Sequence, residues 1–152
     1  MQDRKKTVLV TGATGFVGQH LCRRLSELEF RVRTLLHTVK QSEIFPAELE
    51  LTHFPGDLLD APSLETACAN TDILVHLGGV AHVDNLSEKI LQEINIEGTR
   101  NILQVAIRNN VSRIIFMSSS LASDAEKGKR KITQYGRSKI AAEGLVRTAH
   151  QQ

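Results

Sequence analysis

Two residues near the C-terminal end of the sequence, Tyr135 and Lys139, have the types and the spacing for proton transfer. Residues four apart lie on one face of a helix, so a lysine ammonium at position 139 can come close to the phenol at position 135. A nearby positive charge favours the phenolate form of a tyrosine. Tyr135, the single tyrosine of the chain, is therefore a candidate general base.

A glycine-rich turn near the N-terminus, residues 11–18 with the sequence TGATGFVG, is the second chemical feature. Gly12 permits a tight turn, Gly15 lets a phosphate approach the backbone, and Gly18 allows close packing of a helix on a strand. The free amides and positive end of the following helix suit a dinucleotide pyrophosphate. The alternative is a tight turn without a ligand. The cofactor contacts expected from this turn are Gly12, Thr14, Gly15, Phe16, Val17 and Gly18.

Alternating strand and helix patterns must position these two features. Apolar and β-branched runs predict strands at residues 7–11, 31–36, 50–54, 73–77 and 113–117. Helical patterns fall at residues 16–28, 60–70, 86–109 and 134–149, with Asp60 as the N-cap of the second. This alternation predicts an α/β fold, a doubly wound parallel sheet of the Rossmann type with strand order 3-2-1-4-5, forming one NAD(P)-binding domain over residues 1–152.

Composition narrows the class of protein. The chain has 152 residues and a net charge of +2, which is too small to indicate nucleic-acid binding. Cys22 and Cys68 are isolated and the histidines are scattered, so no metal site is predicted; His76 is interpreted as a packed strand residue. No signal peptide or membrane-spanning run is evident, which predicts a cytoplasmic protein without a membrane partner. The low-hydrophobicity stretch at residues 124–131 is interpreted as an active-site loop.

The residues after the second predicted strand bear on cofactor choice. A carboxylate at this place would bind a ribose 2′-hydroxyl and select NAD, whereas basic residues would accept the 2′-phosphate of NADP. The chain has His37 here, with Arg33 and Lys40 nearby and no acid between residues 35 and 38. We therefore expect NADP or NAD, with a slight preference for NADP. The alternative is that Arg31 and Arg33 simply face solvent.

Further motifs stand in a fixed order along the chain. They are Gly56-Asp57-Leu58, His76-Leu77-Gly78-Gly79-Val80-Ala81, Asn95-Ile96-Glu97-Gly98-Thr99 and Met117-Ser118-Ser119-Ser120, between the glycine turn and the Tyr135/Lys139 pair. With these motifs the chain resembles, over essentially its whole length, the extended short-chain dehydrogenase/reductase family of NAD(P)-dependent nucleotide-sugar epimerases and dehydratases.

The resemblance implies a role for each motif. Asp57 would bond the adenine amino group beside the Leu58 backbone, and Asn95 would brace the active site. Ser119 would orient a substrate hydroxyl while Tyr135 takes its proton, and Lys139 would hold the nicotinamide ribose. The cofactor ribose and pyrophosphate would be lined by Leu77, Gly78, Gly79 and Ala81. The structural alternatives are a turn role for Asp57, a local bond for Asn95, and serines that merely end a strand.

The chain also departs from the family pattern. Family members continue beyond the Tyr/Lys helix into a smaller domain that holds the sugar nucleotide, and here the segment from Ser119 to Tyr135 is short. We therefore expect the N-terminal portion of a longer epimerase or dehydratase, truncated before the substrate domain. The alternative is a non-catalytic NADP-binding sensor or interaction module. The fifth strand would present an unpaired apolar edge, which predicts a homodimer.

Overall fold

Five parallel strands form a single sheet in the computed structural model, which describes residues 4–80, 87–122 and 132–149. The strands are β1 (Thr7–Thr11), β2 (Arg31–Leu36), β3 (Leu51–Pro55), β4 (Ile73–His76) and β5 (Arg113–Phe116). Their order is β3-β2-β1-β4-β5, and every neighbouring pair is parallel. The predicted α/β class and strand order are confirmed, and each predicted strand boundary lies within one residue of the observed one.

Helical segments connect the strands. They are α1 (Phe16–Glu27), a 3-10 helix (Val39–Ile44), α2 (Ala61–Cys68), α3 (Glu88–Leu91), a π-helical segment (Gln92–Glu97), α4 (Gly98–Arg108) and α5 (Gln134–Ala149). The sequence predicts one regular helix over residues 86–109. The structure instead places the π-helical segment between α3 and α4, and residue 86 lies outside the described residues.

Asp60 occupies the predicted N-cap position of α2, but its side chain makes no capping hydrogen bond. The Asp60 carbonyl oxygen instead accepts a bond from Ser63 Oγ at 2.8 Å. The prediction that Asp60 is the N-cap residue of α2 is therefore confirmed, and its carboxylate leaves the backbone N–H groups of the first turn without a side-chain cap.

The core consists of two layers, one on each face of the sheet. Successive strand side chains point to opposite faces. Consequently Leu9 and Leu74 pack against α2 and α4 residues such as Ile102, whereas Val8 and Val10 belong to the layer that contains Cys22 of α1. All five residues of β1 are buried because this strand lies in the middle of the sheet. Burial of each such Leu or Val side chain contributes roughly 1.5–3 kcal/mol.

The sheet brings the chemical motifs to one edge. Parallel strands carry their C-terminal ends to the same side, so the turn after β1 lies beside the residues that follow β4 and β5. The chain continues from β1 to β2 on one side, whereas β4 occupies the other side of β1. Such a change of direction creates a crevice at the carboxyl ends of the strands, where open α/β sheets bind their ligands.

Candidate functional site

The turn after β1 requires glycine for steric reasons. Gly12 has φ of +67°, and a Cβ at this residue would lie 2.7 Å from Gly78 N. A Cβ on Gly18 would lie 2.3 Å from the carbonyl oxygen of Gly12. Gly15 is the N-cap of α1, and no acidic residue lies in the first turn of that helix. The turn is therefore a cradle of bare backbone at a positive helix end, which fits a pyrophosphate.

A cleft of about 300 Å³ extends from this turn along the edge of the sheet. Eight of the residues predicted to bind a cofactor line it: Gly12, Thr14, Gly15, His37, Leu58, Leu77, Gly78 and Gly79. Phe16 and Val17 are exposed in the first turn of α1, and Gly18 is buried beneath the turn. Ala81 and the predicted loop at residues 124–131 lie outside the described residues.

His37 and Asp57 face each other at one end of the cleft, beyond β2 and β3. Asp57 Oδ2 lies 3.5 Å from His37 Nδ1. Asp57 Oδ1 accepts a hydrogen bond from the Leu59 backbone N–H at 2.8 Å, so Asp57 also has the turn role that the sequence left open. A carboxylate thus stands near the predicted ribose position, although none follows β2 in the sequence.

A buried histidine connects the glycine turn to the long helix. His76 Nδ1 lies 2.6 Å from Thr11 Oγ1, and His76 Nε2 lies 3.0 Å from Thr99 Oγ1. The Thr99 hydroxyl donates to the Asn95 carbonyl oxygen at 2.7 Å, so we assign the ring proton to Nε2, which donates to Thr99. Burial, and then the Lys139 ammonium, lower the pKa of His76 to about 3. The interpretation of His76 as a packed strand residue agrees with its 1% exposure.

Asn95 joins the cleft to α5 from within the π-helical segment. Its Oδ1 accepts from the Val80 backbone N–H at 2.8 Å, and its Nδ2 donates to the Val80 carbonyl oxygen at 3.1 Å. Nδ2 also lies 3.1 Å from Ser138 Oγ, and the Ser138 hydroxyl donates to the Tyr135 carbonyl oxygen at 2.8 Å. Short π-helical segments recur at functional sites. Here the π-helical segment places the Asn95 amide in contact with both Val80 and Ser138 of α5.

The Tyr135/Lys139 pair lies on α5 beside the end of β5. Lys139 is 6% exposed, and its Nζ lies 4.3 Å from the centre of the Phe116 ring. Burial lowers the pKa of Lys139 to about 8, and the Glu143 carboxylate opposes this shift. The lysine amine therefore packs on an aromatic face, and the residues that line the cleft do not include Tyr135 or Lys139.

The serines after β5 have different partners. The Ser118 hydroxyl donates to Glu143 Oε1 on α5. Ser119 Oγ accepts from the Leu121 backbone N–H at 3.2 Å. Ser119 therefore directly follows Ser118, which is hydrogen-bonded to the helix that carries Tyr135 and Lys139. The Ser119 hydroxyl oxygen itself makes a local bond, to the Leu121 backbone.

Sequence reasoning assigned no site role to Thr11, Thr99, Ser138 or Glu143. Thr11 and Thr99 are 1% exposed, and each bonds His76. One signal was available: a histidine in an apolar strand must find hydrogen-bond partners when it is buried. The partners themselves come from other elements and have no spacing that the sequence reveals.

Residues 8–152 match the model of the NAD dependent epimerase/dehydratase family. The chain belongs to this family. The match includes the glycine turn, the buried histidine and the Tyr135/Lys139 helix, so the geometry described above lies within the family domain.

The names of two relatives indicate different reactions, an epimerisation and a dehydrogenation. The chain is 32% identical over 147 residues to N-acetyl-alpha-D-glucosaminyl-diphospho-ditrans,octacis-undecaprenol 4-epimerase of Escherichia coli O157:H7, with 92% of this chain and 42% of that protein covered. It is 30% identical over 117 residues to 3 beta-hydroxysteroid dehydrogenase type 7 of Mus musculus, with 73% and 32% covered. The chain therefore spans less than half the length of these two relatives.

The chain is also similar to a solved structure. MoeE5 in complex with UDP-glucuronic acid and NAD superposes with a TM-score of 0.81 at 25% identity, and the alignment covers 96% of this chain and 50% of that one. The likeness confirms the Rossmann-type fold. It also shows that a protein with this fold holds NAD and a UDP-sugar together.

In residues 4–80, 87–122 and 132–149, no helix combines the length and apolar character needed to cross a membrane. The same residues contain no group of three or more His, Cys, Asp or Glu side chains placed to hold a metal ion.

Proposed function

We propose that this chain supplies the cofactor-binding and proton-transfer part of an NAD(P)-dependent epimerase/dehydratase-type oxidoreductase that acts on a nucleotide sugar, as the N-terminal portion of a longer enzyme. One observation carries the proposal. Hydrogen bonds run from the Val80 backbone at the cleft through Asn95 and Ser138 to the Tyr135 backbone. The cofactor cleft and the candidate base are therefore parts of one connected arrangement.

The cleft has the features that a nicotinamide dinucleotide requires. The turn from Gly12 to Gly18 would hold the pyrophosphate on backbone amides, and Gly78 and Gly79, which line the cleft, would lie beside the ribose. His37 and Asp57 would contact the adenosine end. When bound, the nicotinamide would supply hydride transfer to and from a substrate carbon.

The residues of α5 and the end of β5 would move the proton. The Tyr135 oxygen would take the proton from a substrate hydroxyl as that carbon is oxidised, and would return it when the ketone is reduced. Ser119 would hold the same oxygen by a hydrogen bond once its hydroxyl turns from the Leu121 amide. The Lys139 positive charge would stabilise the phenolate, and would contact the nicotinamide ribose if its amine moves from the Phe116 ring.

A nucleotide sugar is the substrate class that the comparisons favour. The Escherichia coli relative covers 92% of this chain, against 73% for the steroid dehydrogenase of Mus musculus, and its name describes a 4-epimerase of a sugar joined through a diphosphate to undecaprenol. A nucleotide sugar likewise carries its sugar on a diphosphate. The UDP-glucuronic acid complex of MoeE5 adds a sugar nucleotide on the same fold. We further propose a cytoplasmic enzyme that acts as a homodimer.

A paired assay tests the proposal. The protein is incubated with NAD or NADP and with UDP-glucose, UDP-N-acetylglucosamine or a 3β-hydroxysteroid, and nicotinamide reduction and sugar products are followed. Turnover of a UDP-sugar that falls on the order of 10²-fold in Tyr135→Phe supports the proposal, because that variant keeps the ring and loses the proton-transferring oxygen. Turnover of the steroid alone contradicts the substrate class. Cofactor binding without turnover would instead favour a binding module.

A further inference from the structure

Glu143 lies on α5 one turn after Lys139 and two turns after Tyr135, so the three side chains leave the same side of the helix. Its side chain is 20% exposed, and both carboxylate oxygens have partners. Oε1 accepts from the Ser118 hydroxyl, and Oε2 accepts from Arg147 Nη2 at 2.9 Å. Two partners on opposite oxygens restrict the carboxylate to one orientation.

Ser118 marks the point at which the chain leaves the sheet. The Met117 backbone N–H still donates to the His76 carbonyl oxygen at 3.0 Å, as in the ladder of β5. The next bonds are local, with the Ala122 N–H donating to the Ser119 carbonyl oxygen at 3.1 Å. The Ser118 side chain therefore fastens the end of β5 to a helix that lies 25 residues further along the chain.

We infer that Glu143 is a positioning residue, which ties Ser118 to α5 and thereby holds Ser119 in register with Tyr135 and Lys139. The catalytic meaning of this register rests on the proposed function. In that function Ser119 and Tyr135 must reach one substrate oxygen from two different segments. A misplacement of about 1 Å between such groups can cost about 10²-fold in rate.

Glu143 also acts on Lys139 through its charge. The lysine amine faces the Phe116 ring of β5 and lies near the neutral ring of His76 in β4, neither of which offers a negative charge. The acids on the segment packed against α5 have other cations, since Glu93 pairs with Lys89 and Glu97 with Arg100. Glu88 lies near Gln134, with 3.5 Å between Oε2 and Nε2. Glu143 is the carboxylate that opposes the effect of burial on Lys139.

The test separates the charge of Glu143 from its bond to Ser118. Glu143→Gln keeps the side-chain shape and removes the charge, whereas Ser118→Ala removes the hydroxyl donor and leaves the charge. Glu27→Gln is the matched control, because Glu27 also pairs with an arginine on its own helix but lies on α1. The whole chain is labelled with ¹³C at lysine Cε, and Lys139→Arg identifies the Lys139 signal.

Two readouts separate positioning from general loss of structure. In Glu143→Gln we expect the Lys139 titration to move to lower pH, because the carboxylate that favours the charged amine is gone, while Ser118→Ala and Glu27→Gln leave it in place. Glu143→Gln keeps an acceptor oxygen for the Ser118 hydroxyl, so the melting experiment uses Glu143→Ala. Because Ser118→Ala and Glu143→Ala remove the same bond, their double variant should melt close to the less stable single variant, rather than at the sum of their effects.

The inference on Glu143 and the proposed function can be refuted independently of each other. An unmoved Lys139 titration in Glu143→Gln together with additive melting shifts overturns the inference, whatever the activity of the chain. If the titration and the melting behave as expected but no UDP-sugar is turned over, the contact stands and the proposed function fails. With turnover, we expect kcat to fall about tenfold in Ser118→Ala and in Glu143→Ala at unchanged KM for the cofactor. A change confined to KM would contradict a positioning role.

Discussion

Asn95 Nδ2 lies 3.1 Å from Ser138 Oγ, and this bond joins the segment after β4 to the helix that carries Tyr135 and Lys139. The same amide group holds the Val80 backbone through both its oxygen and its nitrogen. Asn95 is 2% exposed, so none of these bonds is readily replaced by solvent. The cofactor cleft and the proton-transfer residues consequently share one buried side chain.

Replacement of Asn95 by Ala should lower both stability and turnover. The substitution leaves the half-buried Val80 backbone groups without their partner and removes one partner of the buried Ser138 hydroxyl, at a cost of about 1–3 kcal/mol in the free energy of unfolding. Denaturant unfolding measures this loss, and the exposed Gln104→Ala on α4 is the control. Equal unfolding free energies for Asn95→Ala and wild type would show that the hydrogen bonds do not hold the two segments together.

The three glycines of the turn should respond differently to substitution. Gly15 has φ of −70°, and its Cβ would come no closer than 3.3 Å to Gly12 O, so Gly15→Val should fold but block the approach of a phosphate. Gly12→Val and Gly18→Val should destabilise the fold itself, since their Cβ atoms would overlap backbone. Calorimetric titration with NAD and NADP, together with melting curves, distinguishes the two outcomes. A folded Gly15→Val protein that binds with wild-type affinity would place the cofactor elsewhere.

Gly144 provides a control for that series. A Cβ at this α5 glycine meets nothing within 4 Å, so Gly144→Ala should leave cofactor affinity unchanged. It should also raise stability by roughly 0.5–1 kcal/mol, because glycine is unfavourable inside a helix.

The residues expected at the adenosine end of the cofactor predict whether NADP or NAD is preferred. We expect NADP to bind at least as well as NAD, because residues 35–38 at the end of β2 contain no acid and His37 lines the cleft. Asp57 stands 3.5 Å from His37 and would repel a 2′-phosphate, so Asp57→Asn should shift the balance further toward NADP. Side-by-side titrations of wild type, Asp57→Asn and His37→Ala measure the ratio. A clear preference of the wild type for NAD would refute the prediction.

The fold could be predicted because the sequence patterns that indicate it lie within single short segments of the chain. Buried parallel strands are continuous apolar runs, and the runs at β1 and β2 gave the observed boundaries. The glycine turn was likewise visible, since only glycine fits so close to neighbouring backbone. Strand order then followed from alternation and from the position of the glycine turn.

Contacts between distant segments could not be predicted in the same way. The π-helical segment around Asn95 has no local signal that separates it from a regular helix. Asp57 comes beside His37 only because β2 and β3 are paired. Similarly, nothing in the spacing of Ser118 and Glu143 indicates that they meet, because their contact depends on where α5 packs against the end of β5.

His76 should make stability depend on pH. In the folded chain its pKa is lowered to about 3, whereas the ordinary value is 6.5. Between these values the unfolded state binds one more proton, so stability falls as pH falls, by about 1.4 kcal/mol per pH unit. His76→Gln removes this titration. The difference in unfolding free energy between wild type and variant should therefore shrink from pH 6.5 toward pH 4, and a constant difference would contradict the assignment of a neutral buried ring.

The outer edge of β5 should mediate self-association. In the part of the chain that the structure describes, β5 pairs with β4 alone, and Ile115 and Met117 are 49% and 43% exposed. Both residues line a groove of about 430 Å³ that also contains Leu21 and Leu25 of α1, with an apolar lining. An unpaired strand edge beside an apolar groove favours pairing with a second copy.

Light scattering across a range of protein concentrations measures this association. We expect a rising mass with concentration for the wild type, and a monomer for Ile115→Lys, because a charge on the edge strand opposes pairing. Ile44→Lys is the matched control, since Ile44 is 44% exposed on the 3-10 helix at the opposite side of the sheet. A wild type that stays monomeric at every concentration would exclude the β5 edge as an interface between copies. An Ile115→Lys protein that associates like the wild type would place the interface on another surface.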